Sequence, residues 1–312
     1  MLFRIFFIFI CFFILDACEK KELINPLVKE NKFHEIQPFK SKLEKVILNE
    51  ISTDMISSAS VFFYSLSDGM SFGINEDVKM PPASLLKVPL MMVWYKEAEK
   101  DSEILNKKLV YKKNVFGDSL VMNIKDLEPL ENDKSYTVEK LIEHMIEWSD
   151  NDAMVALFNG LDKKKLYKEF YSLGINLPKD LSSDDFRISA KKIAAIFRVL
   201  YNASYLNEEN SERALAHLSK TEFHWAIEDG VPEDVIVAHK FGERSFGDSN
   251  IKYLHDCGIV YNERFPYILC IMTTGYNLNR QAVSIKRISK FVYEEIERQL
   301  ANPATNIMTY ED

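Results

Sequence analysis

The segments of this sequence that have a strand pattern fall into two groups, one near each end of the chain. Segments 60–66 and 70–75 are short, apolar and separated by the turn sequence SDG, which predicts a hairpin. After Pro232 three further strand segments follow: 234–243, 252–261 and 265–274. Apolar spacing predicts helices in four stretches: 40–57, 84–100, most of 136–218, and 281–300. A sheet that a helical insertion divides in this way predicts two packed lobes with a cleft between them.

The overall composition argues against several classes of function. Lys and Arg total 39 and Asp and Glu total 47, a net charge of −8, whereas a nucleic-acid-binding protein usually has a basic face. The six histidines lack the spacing of metal ligands, and no glycine-rich phosphate loop occurs. We therefore expect no metal, no cofactor and no nucleic-acid partner.

The first seventeen residues predict a signal peptide rather than a part of the fold. Arg4 precedes an apolar run of eleven residues, 5–15, which is short for a membrane span but suits a secretory signal. The run ends in LDAC, where Cys18 resembles the lipidated cysteine of a bacterial lipobox, although Asp16 is unusual there. We predict export, as a periplasmic or cell-surface lipoprotein with a lipid anchor at Cys18 and a solvated tether over 18–38. An ordinary signal peptide and an uncleaved anchor are the alternatives.

Two cysteines lie in consecutive strand segments near the C-terminus. If Glu263 and Arg264 form a two-residue turn, antiparallel pairing sets Cys257 opposite Cys270, at a Cα separation that permits a disulfide. The favoured interpretation is two buried thiols on neighbouring strands, and a disulfide is the alternative.

Ser84 and Lys87 stand at the start of a predicted helix, within the almost wholly apolar stretch PPASLLKVPLM. Because residues three apart share a helix face, Lys87 can reach the Ser84 hydroxyl. Apolar neighbours favour a neutral amine, which can remove the serine proton. A surface lysine on a buried helix is the alternative. The same spacing recurs at Ser189 and Lys192, where we interpret the serine as an ordinary cap of a surface helix.

Two other short motifs are weak when each is taken alone. Ser149, Asp150 and Asn151 have the composition of a helix cap, and a lysine and a glycine at 240 and 242 mean little on an edge strand. Together and in this order, S-x-x-K, S-D-N and K-x-G are the motif set of class A β-lactamases and penicillin-binding proteins. The sequence resembles that superfamily over roughly 40–300.

The resemblance implies a fold and a domain organisation. The fold would be a mixed α/β (α+β), two-lobed β-lactamase-like fold, with an antiparallel sheet flanked by N- and C-terminal helices and an active site between the sheet and a helical lobe. The catalytic domain would span 39–302, with a sheet lobe formed by 39–80 and 233–302 and a helical lobe formed by 81–232. A tail of ten residues, 303–312, would follow.

The resemblance also assigns roles in acyl transfer. Ser84 would be the nucleophile that forms an acyl-enzyme with a β-lactam, and Lys87 would be its base or part of the base relay. Ser149 would pass a proton to the leaving nitrogen. The backbone N–H groups of Ser84 and Glu243 would form the oxyanion hole, where removing one donor typically costs about 3 kcal/mol of transition-state stabilisation.

Substrate binding is assigned to the second and third motifs, with one departure from the family pattern. Asn151 would bind the side-chain amide of the substrate, and Gly242 would let the substrate lie against the strand. Lys240 would be catalytic as well, because its positive potential would favour proton transfer by Ser149 and attract the substrate carboxylate. The family has Thr or Ser where this chain has Phe241, which offers no hydroxyl. Arg244 could replace that contact, and an exposed arginine without a role is an equal alternative.

A second departure concerns release of the acyl group. Class A β-lactamases activate the hydrolytic water with a glutamate on a loop between the second and third motifs, and this chain has no Glu-x-x-Leu-Asn there. Asp180, Asp184 and Asp185 are the only carboxylates in the shortened segment, and each reads more readily as a cap or turn residue. We therefore expect slow deacylation.

Three functions remain open from the sequence. The first is a serine β-lactamase-like hydrolase. The second is a penicillin-binding-protein-like D-Ala peptidase or esterase that acts on cell-wall peptides. The third is a non-catalytic lipoprotein that binds β-lactams or peptidoglycan. In each case we expect a monomer.

Overall fold

A computed structural model describes residues 36–113, 128–178, 186–245 and 250–302. The predicted signal peptide, Cys18 and the tail 303–312 lie outside these ranges. No helix within the described ranges combines the length and the apolar character that a membrane crossing needs.

Five antiparallel strands form the main sheet, in the spatial order β2-β1-β9-β8-β7. Their bounds are β1 Ser58–Ser65, β2 Ser71–Ile74, β7 Val237–Ser245, β8 Lys252–Val260 and β9 Tyr267–Gly275. The two N-terminal strands therefore join the three C-terminal strands through the pairing of β1 with β9. Two-stranded pairings form the smaller sheets: β3 Lys79–Met80 with β6 Ile188–Ser189, and β4 Lys108–Val110 with β5 Ser135–Thr137.

Helices cover the main sheet on both faces. Those of the described residues are α1 Lys40–Ser52, α2 Lys87–Ala98, α3 Val138–Glu147, α4 Asn151–Gly160, α5 Lys163–Ser172, α6 Ala190–Tyr201, α7 Glu208–Leu218 and α8 Leu278–Ala301. The terminal helices α1 and α8 pack on one face, and α6 packs on the other face together with the helical segment between β3 and β7. The predicted fold class, a mixed α/β fold with an antiparallel sheet between terminal helices and a helical segment, is confirmed.

The position of α2 explains how a lysine comes to be buried. Apart from Lys96, every residue of α2 is buried, because the helix runs through the core formed by α3, α5 and α7. A lysine on the first turn of such a helix has no route to solvent along the helix surface. The alternative of a surface lysine at 87 is therefore wrong.

Of two sequence predictions about helix starts, one needs correction. The helix predicted from Ser84 begins as a separate 3-10 turn, Ala83–Leu86, and α2 starts only at Lys87. Ser189 caps α6 as expected, by accepting a hydrogen bond from the backbone N–H of Lys192. One face of α6 packs against the main sheet, and its other face carries exposed residues such as Lys191 and Arg198. The second Ser-x-x-Lys spacing is thus structural.

The two cysteines form a disulfide, contrary to the favoured expectation of free thiols. Cys257 and Cys270 are directly opposite in the pairing of β8 with β9, with Cα atoms 3.9 Å apart. The predicted register is confirmed, although the strands end at Val260 and resume at Tyr267 around a longer loop than the expected two-residue turn. Both side chains are fully buried on the face of the sheet that packs against α6 and the helical segment between β3 and β7.

This disulfide is expected to stabilise the fold measurably. The bond closes a loop with a sequence separation of 13 residues, for which chain-entropy arguments give about 3 kcal/mol. The double variant Cys257→Ala/Cys270→Ala should therefore lose about 3 kcal/mol in the free energy of unfolding, measured by urea denaturation. A loss below about 1 kcal/mol would contradict the prediction, and wild-type protein unfolded with a reductant provides the matched comparison.

Candidate active site

Ser84 lies in the turn where the chain leaves β3 and enters α2. Pro81 and Pro82 end the strand because neither has a backbone N–H to offer a neighbouring strand. Ala83 then adopts a φ of +50°, in the left-handed region that residues with a side chain rarely occupy. Such a conformation costs about 1–3 kcal/mol and persists only where the surroundings hold it. Ser84 itself is half-buried.

Strand β7 approaches this turn at Gly242. A Cβ placed on Gly242 would lie 3.0 Å from the backbone nitrogen of Ser84 and 3.1 Å from the Cβ of Ala83. The close approach thus depends on the absence of a side chain at 242. The oxyanion hole is predicted from the backbone N–H groups of Ser84 and Glu243. Because Glu243 directly follows Gly242, these two groups belong to segments that are in direct contact.

Lys87 connects the first motif to the second. Its Nζ donates hydrogen bonds to the backbone oxygen of Ser149 at 2.6 Å, to Ser149 Oγ at 3.1 Å and to Asn151 Oδ1 at 2.7 Å. The side chain is fully buried. Burial lowers the pKa of Lys87 to about 7, against the opposing effect of carboxylates led by Asp150. An amine with this pKa is available as a base near neutral pH.

The hydrogen bonds of Lys87 differ from the simplest sequence expectation. Its bonds within the described residues go to Ser149 and Asn151, and the hydroxyl of Ser84 is not among these partners. The lysine therefore bonds to Ser149 of the second motif, for which a proton-transfer role is predicted, and to the amide side chain of Asn151. This arrangement favours the relay interpretation, in which a proton passes among Ser84, Lys87 and Ser149.

The turn that carries Ser149 is held in place by its neighbours. Ser149 has a φ of +58°, again in the left-handed region. Asp150 caps α4 by accepting hydrogen bonds from the backbone N–H groups of Asp152 and Ala153. Its other carboxylate oxygen accepts a hydrogen bond from the Tyr111 hydroxyl at 2.9 Å. The middle residue of the S-D-N motif thus fixes the serine and the asparagine on either side of it.

Lys240 lies fully buried on β7. Its Nζ is 3.3 Å from the backbone oxygen of Phe241 and 4.1 Å from the centre of the Phe241 ring. Burial, followed by the like charge of Lys87, lowers the pKa of Lys240 well below its ordinary value. A substrate carboxylate placed beside this amine would favour its protonated form.

Structures with the same fold place this geometry in context. A variant of PBP-A, in an acyl-enzyme complex with penicillin G, is 20% identical to this chain, with a TM-score of 0.71 and coverage of 84% of this chain and 98% of that one. A β-lactamase from Chitinophaga pinensis is 17% identical, with a TM-score of 0.70 and coverage of 82% and 99%. A β-lactamase from Xanthomonas campestris is 15% identical, with a TM-score of 0.67 and coverage of 82% and 97%. At these identities the likeness establishes the fold.

The sequence itself decides the family. Residues 39–296 match the model of the β-lactamase enzyme family. The chain belongs to this family. The resemblance to class A β-lactamases and penicillin-binding proteins, and with it the prediction of a class A β-lactamase-like serine hydrolase, is confirmed. No curated protein matches the sequence.

In this β-lactamase-family protein, Phe241 departs from the motif, and its ring lies in the hydrophobic core beside the amine of Lys240. Its side chain is 1% exposed and stacks on Phe223, with ring centres 4.0 Å apart, in the core beneath α8. Glu243 is half-buried and Arg244 is exposed at the end of β7. The roles predicted for these two residues stay predictions.

The sequence did not predict the contacts of two buried histidines, His239 on β7 and His255 on β8. His239 forms an ion pair with Asp256 at 2.8 Å, and both side chains are fully buried. Burial alone would lower the pKa of His239, but Asp256 and Glu228 outweigh it and raise the pKa to about 9. His255 bonds to the turn that precedes Ser84. Strand alternation alone does not identify either partner, since the partners come from other segments.

The residues considered for water activation, Asp180, Asp184 and Asp185, lie outside the described residues. No cluster of His, Cys, Asp or Glu suited to a metal ion occurs within the described ranges.

Proposed function

We propose that this β-lactamase-family protein opens the amide of β-lactams through an acyl-Ser84 intermediate and releases the acyl group slowly. The Ser84 oxygen would attack the β-lactam carbonyl carbon and form an ester. The ring C–N bond would break, and the proton lost by Ser84 would reach the ring nitrogen through Lys87 and Ser149. No leaving group departs in this step, because the opened ring stays attached.

The observation that carries this proposal is the environment of Lys87. A fully buried amine with a pKa of about 7 bonds to the hydroxyl of Ser149, and it follows Ser84 by one turn. A neutral amine of this kind can accept a proton in the acylation step, which general-base catalysis typically accelerates by about 10²- to 10⁴-fold. Burying two lysines so close that the like charge of Lys87 lowers the pKa of Lys240 is costly, which a catalytic site would explain.

Slow deacylation rests on the sequence between the second and third motifs. Hydrolysis of the ester needs a base that activates water, and the expected glutamate motif is missing from this segment. An acyl-enzyme without such a base is expected to persist. Asp184 and Asp185 remain the candidates for a weaker substitute.

The second candidate function is a D-Ala peptidase or esterase acting on cell-wall peptides. It is favoured by the similarity to PBP-A, whose variant was captured as an acyl-enzyme with penicillin G. Such an enzyme would use the same acylation chemistry but would expel D-alanine or an alcohol. The third candidate, a binding lipoprotein, requires that Ser84 stay unreacted.

Intact mass spectrometry over time tests the proposal. Wild-type protein incubated with benzylpenicillin should gain the full mass of one penicillin molecule, and the adduct should persist for at least minutes after the free drug is removed. Ser84→Ala should gain nothing. Ser189→Ala is the matched control, because it removes the serine of the other Ser-x-x-Lys spacing, and it should be labelled like the wild type.

Three other results would contradict part of the proposal or favour another function. Fast turnover of a chromogenic cephalosporin without a lasting adduct would contradict slow deacylation. Release of D-alanine from a peptide ending in D-Ala-D-Ala would favour the peptidase. No adduct and no ester hydrolysis would leave the binding function.

We also propose that the protein is exported and anchored to a membrane by a lipid on Cys18. The support is the apolar run 5–15 followed by LDAC. Cells fed a clickable palmitate analogue should label the wild-type protein and the Cys11→Ala variant, since Cys11 lies within the predicted signal. Cys18→Ala should lose the label, and a label that remains would contradict the anchor.

A further inference from the structure

A buried histidine on β8, the strand next to β7, contacts the turn that carries Ser84. His255 lies on β8 directly opposite Gly242 in the pairing of β7 with β8. Its side chain is fully buried, and its Nε2 lies 2.9 Å from the backbone oxygen of Pro81. Since a carbonyl oxygen can only accept a hydrogen bond, Nε2 carries the proton and donates the hydrogen bond to the Pro81 oxygen.

The turn preceding Ser84 has few means of holding its own shape. Pro81 and Pro82 offer no N–H, so that this segment cannot be fixed by donating backbone hydrogen bonds. The strained Ala83 follows directly, with a φ of +50°. A conformation of this kind needs external support, and a buried carbonyl needs a donor. His255 provides the donor, while Gly242 provides the surface against which Ser84 rests.

The protonation state of His255 keeps it a hydrogen-bond donor to Pro81 over a wide pH range. Burial lowers the pKa of His255 to about 4, against the opposing effect of its hydrogen bond to Pro81. The imidazole is therefore neutral over the range in which Lys87 titrates. A single tautomer, protonated on Nε2, satisfies the Pro81 oxygen throughout this range.

We propose that His255 is a positioning residue for acylation, which holds the Pro81–Ser84 turn in its strained conformation through the hydrogen bond to the Pro81 carbonyl. It touches no reacting atom and acts through the turn. The effect on acylation rests on the proposed function, whereas the effect on the turn does not. Misplacing a nucleophile by about 1 Å can cost a factor of about 100 in rate.

Two substitutions at 255 separate the hydrogen bond from the packing. His255→Phe keeps a planar ring and removes the donor, and it should lower the acylation rate constant with benzylpenicillin about 10- to 30-fold while the non-covalent dissociation constant changes less than about threefold. His255→Gln offers an amide N–H close to the position of Nε2, and it should restore the rate to within about threefold of the wild type. The dissociation and rate constants come from the dependence of labelling rate on drug concentration.

A control variant on helix α8 separates a local effect on the turn from a general loss of stability. Ser289 is buried on α8 and donates a hydrogen bond to the backbone oxygen of Ile227 at 2.8 Å. Ser289→Ala removes a buried side-chain-to-carbonyl bond of the same kind but should acylate like the wild type. The proposal would be overturned if His255→Phe acylated at the wild-type rate. It would also be overturned if His255→Phe and His255→Gln were equally slow while both kept the thermal stability of the wild type.

Hydrogen exchange gives a test that does not depend on the reaction. Peptides spanning 80–87 should exchange their amides faster in His255→Phe than in the wild type, and His255→Gln should restore the protection. If the wild-type protein is not acylated by any β-lactam, the proposed function fails, while this exchange still decides the role of His255. Unchanged exchange in His255→Phe would refute it.

Discussion

Replacing Lys87 with methionine is expected to slow acylation of Ser84 by benzylpenicillin about 10³-fold. Methionine keeps much of the side-chain volume in a fully buried position but removes the amine that bonds to Ser149 and Asn151. Loss of a general base typically costs a factor of about 10² to 10⁴. Lys192→Met is the matched control, since Lys192 has the same spacing from Ser189, and it should react like the wild type.

The pH dependence of the same reaction follows from the lowered pKa. In the proposed mechanism the neutral amine is the base, so that acylation by the wild type should rise with pH through about 7, the pKa of Lys87, and level off above it. Lys87→Met should lack this rise. A wild-type rate that is flat between about pH 5 and pH 9, or a Lys87→Met variant that acylates at the wild-type rate, would contradict the assignment of Lys87 as the base.

Gly242→Val is expected to slow acylation about 100-fold. Any Cβ at 242 lies 3.0 Å from the Ser84 nitrogen and 3.2 Å from the backbone oxygen of Pro82, so that the turn has to move. Backbone atoms cannot rotate away as a flexible side chain can, and the added methyl groups of valine increase the displacement. The smaller Gly242→Ala should show an intermediate loss of about tenfold.

Gly275→Ala provides the control for a side chain added to the same sheet. The three atoms nearest to a Cβ there all belong to the side chain of Gln281, at 3.2 Å and beyond, and none of them is a backbone atom. This variant should acylate like the wild type. If Gly242→Val also acylates at the wild-type rate, the contact between β7 and the turn does not position Ser84, and the oxyanion-hole assignment falls with it.

The sequence predicted the elements of this site well because each motif has a local cause. The apolar run around Lys87 implies a buried helix, and burial is what lowers the pKa of that lysine. Asp150 has the chemistry of a helix cap, and it does cap α4. The register of Cys257 with Cys270 follows from simple counting along a hairpin.

Features that depend on distant segments were not predictable in this way. The bonds of Lys87 to Ser149 and Asn151 join residues more than sixty positions apart, and their lengths depend on how α2 packs against α3 and α4. The histidine at 255 meets a carbonyl 174 positions earlier in the chain. Formation of the disulfide depends on the backbone separation of β8 and β9. The sequence allowed a disulfide there but did not require one.

Locating the penicillin adduct on the chain tests the central claim most directly. Tryptic cleavage after Lys79 and Lys87 releases the peptide MPPASLLK, in which Ser84 carries the only hydroxyl group. Fragment ions from protein treated with benzylpenicillin should place the full mass of the drug on Ser84. Attachment to any other residue, or a peptide without added mass from a protein that is labelled elsewhere, would contradict acylation at Ser84.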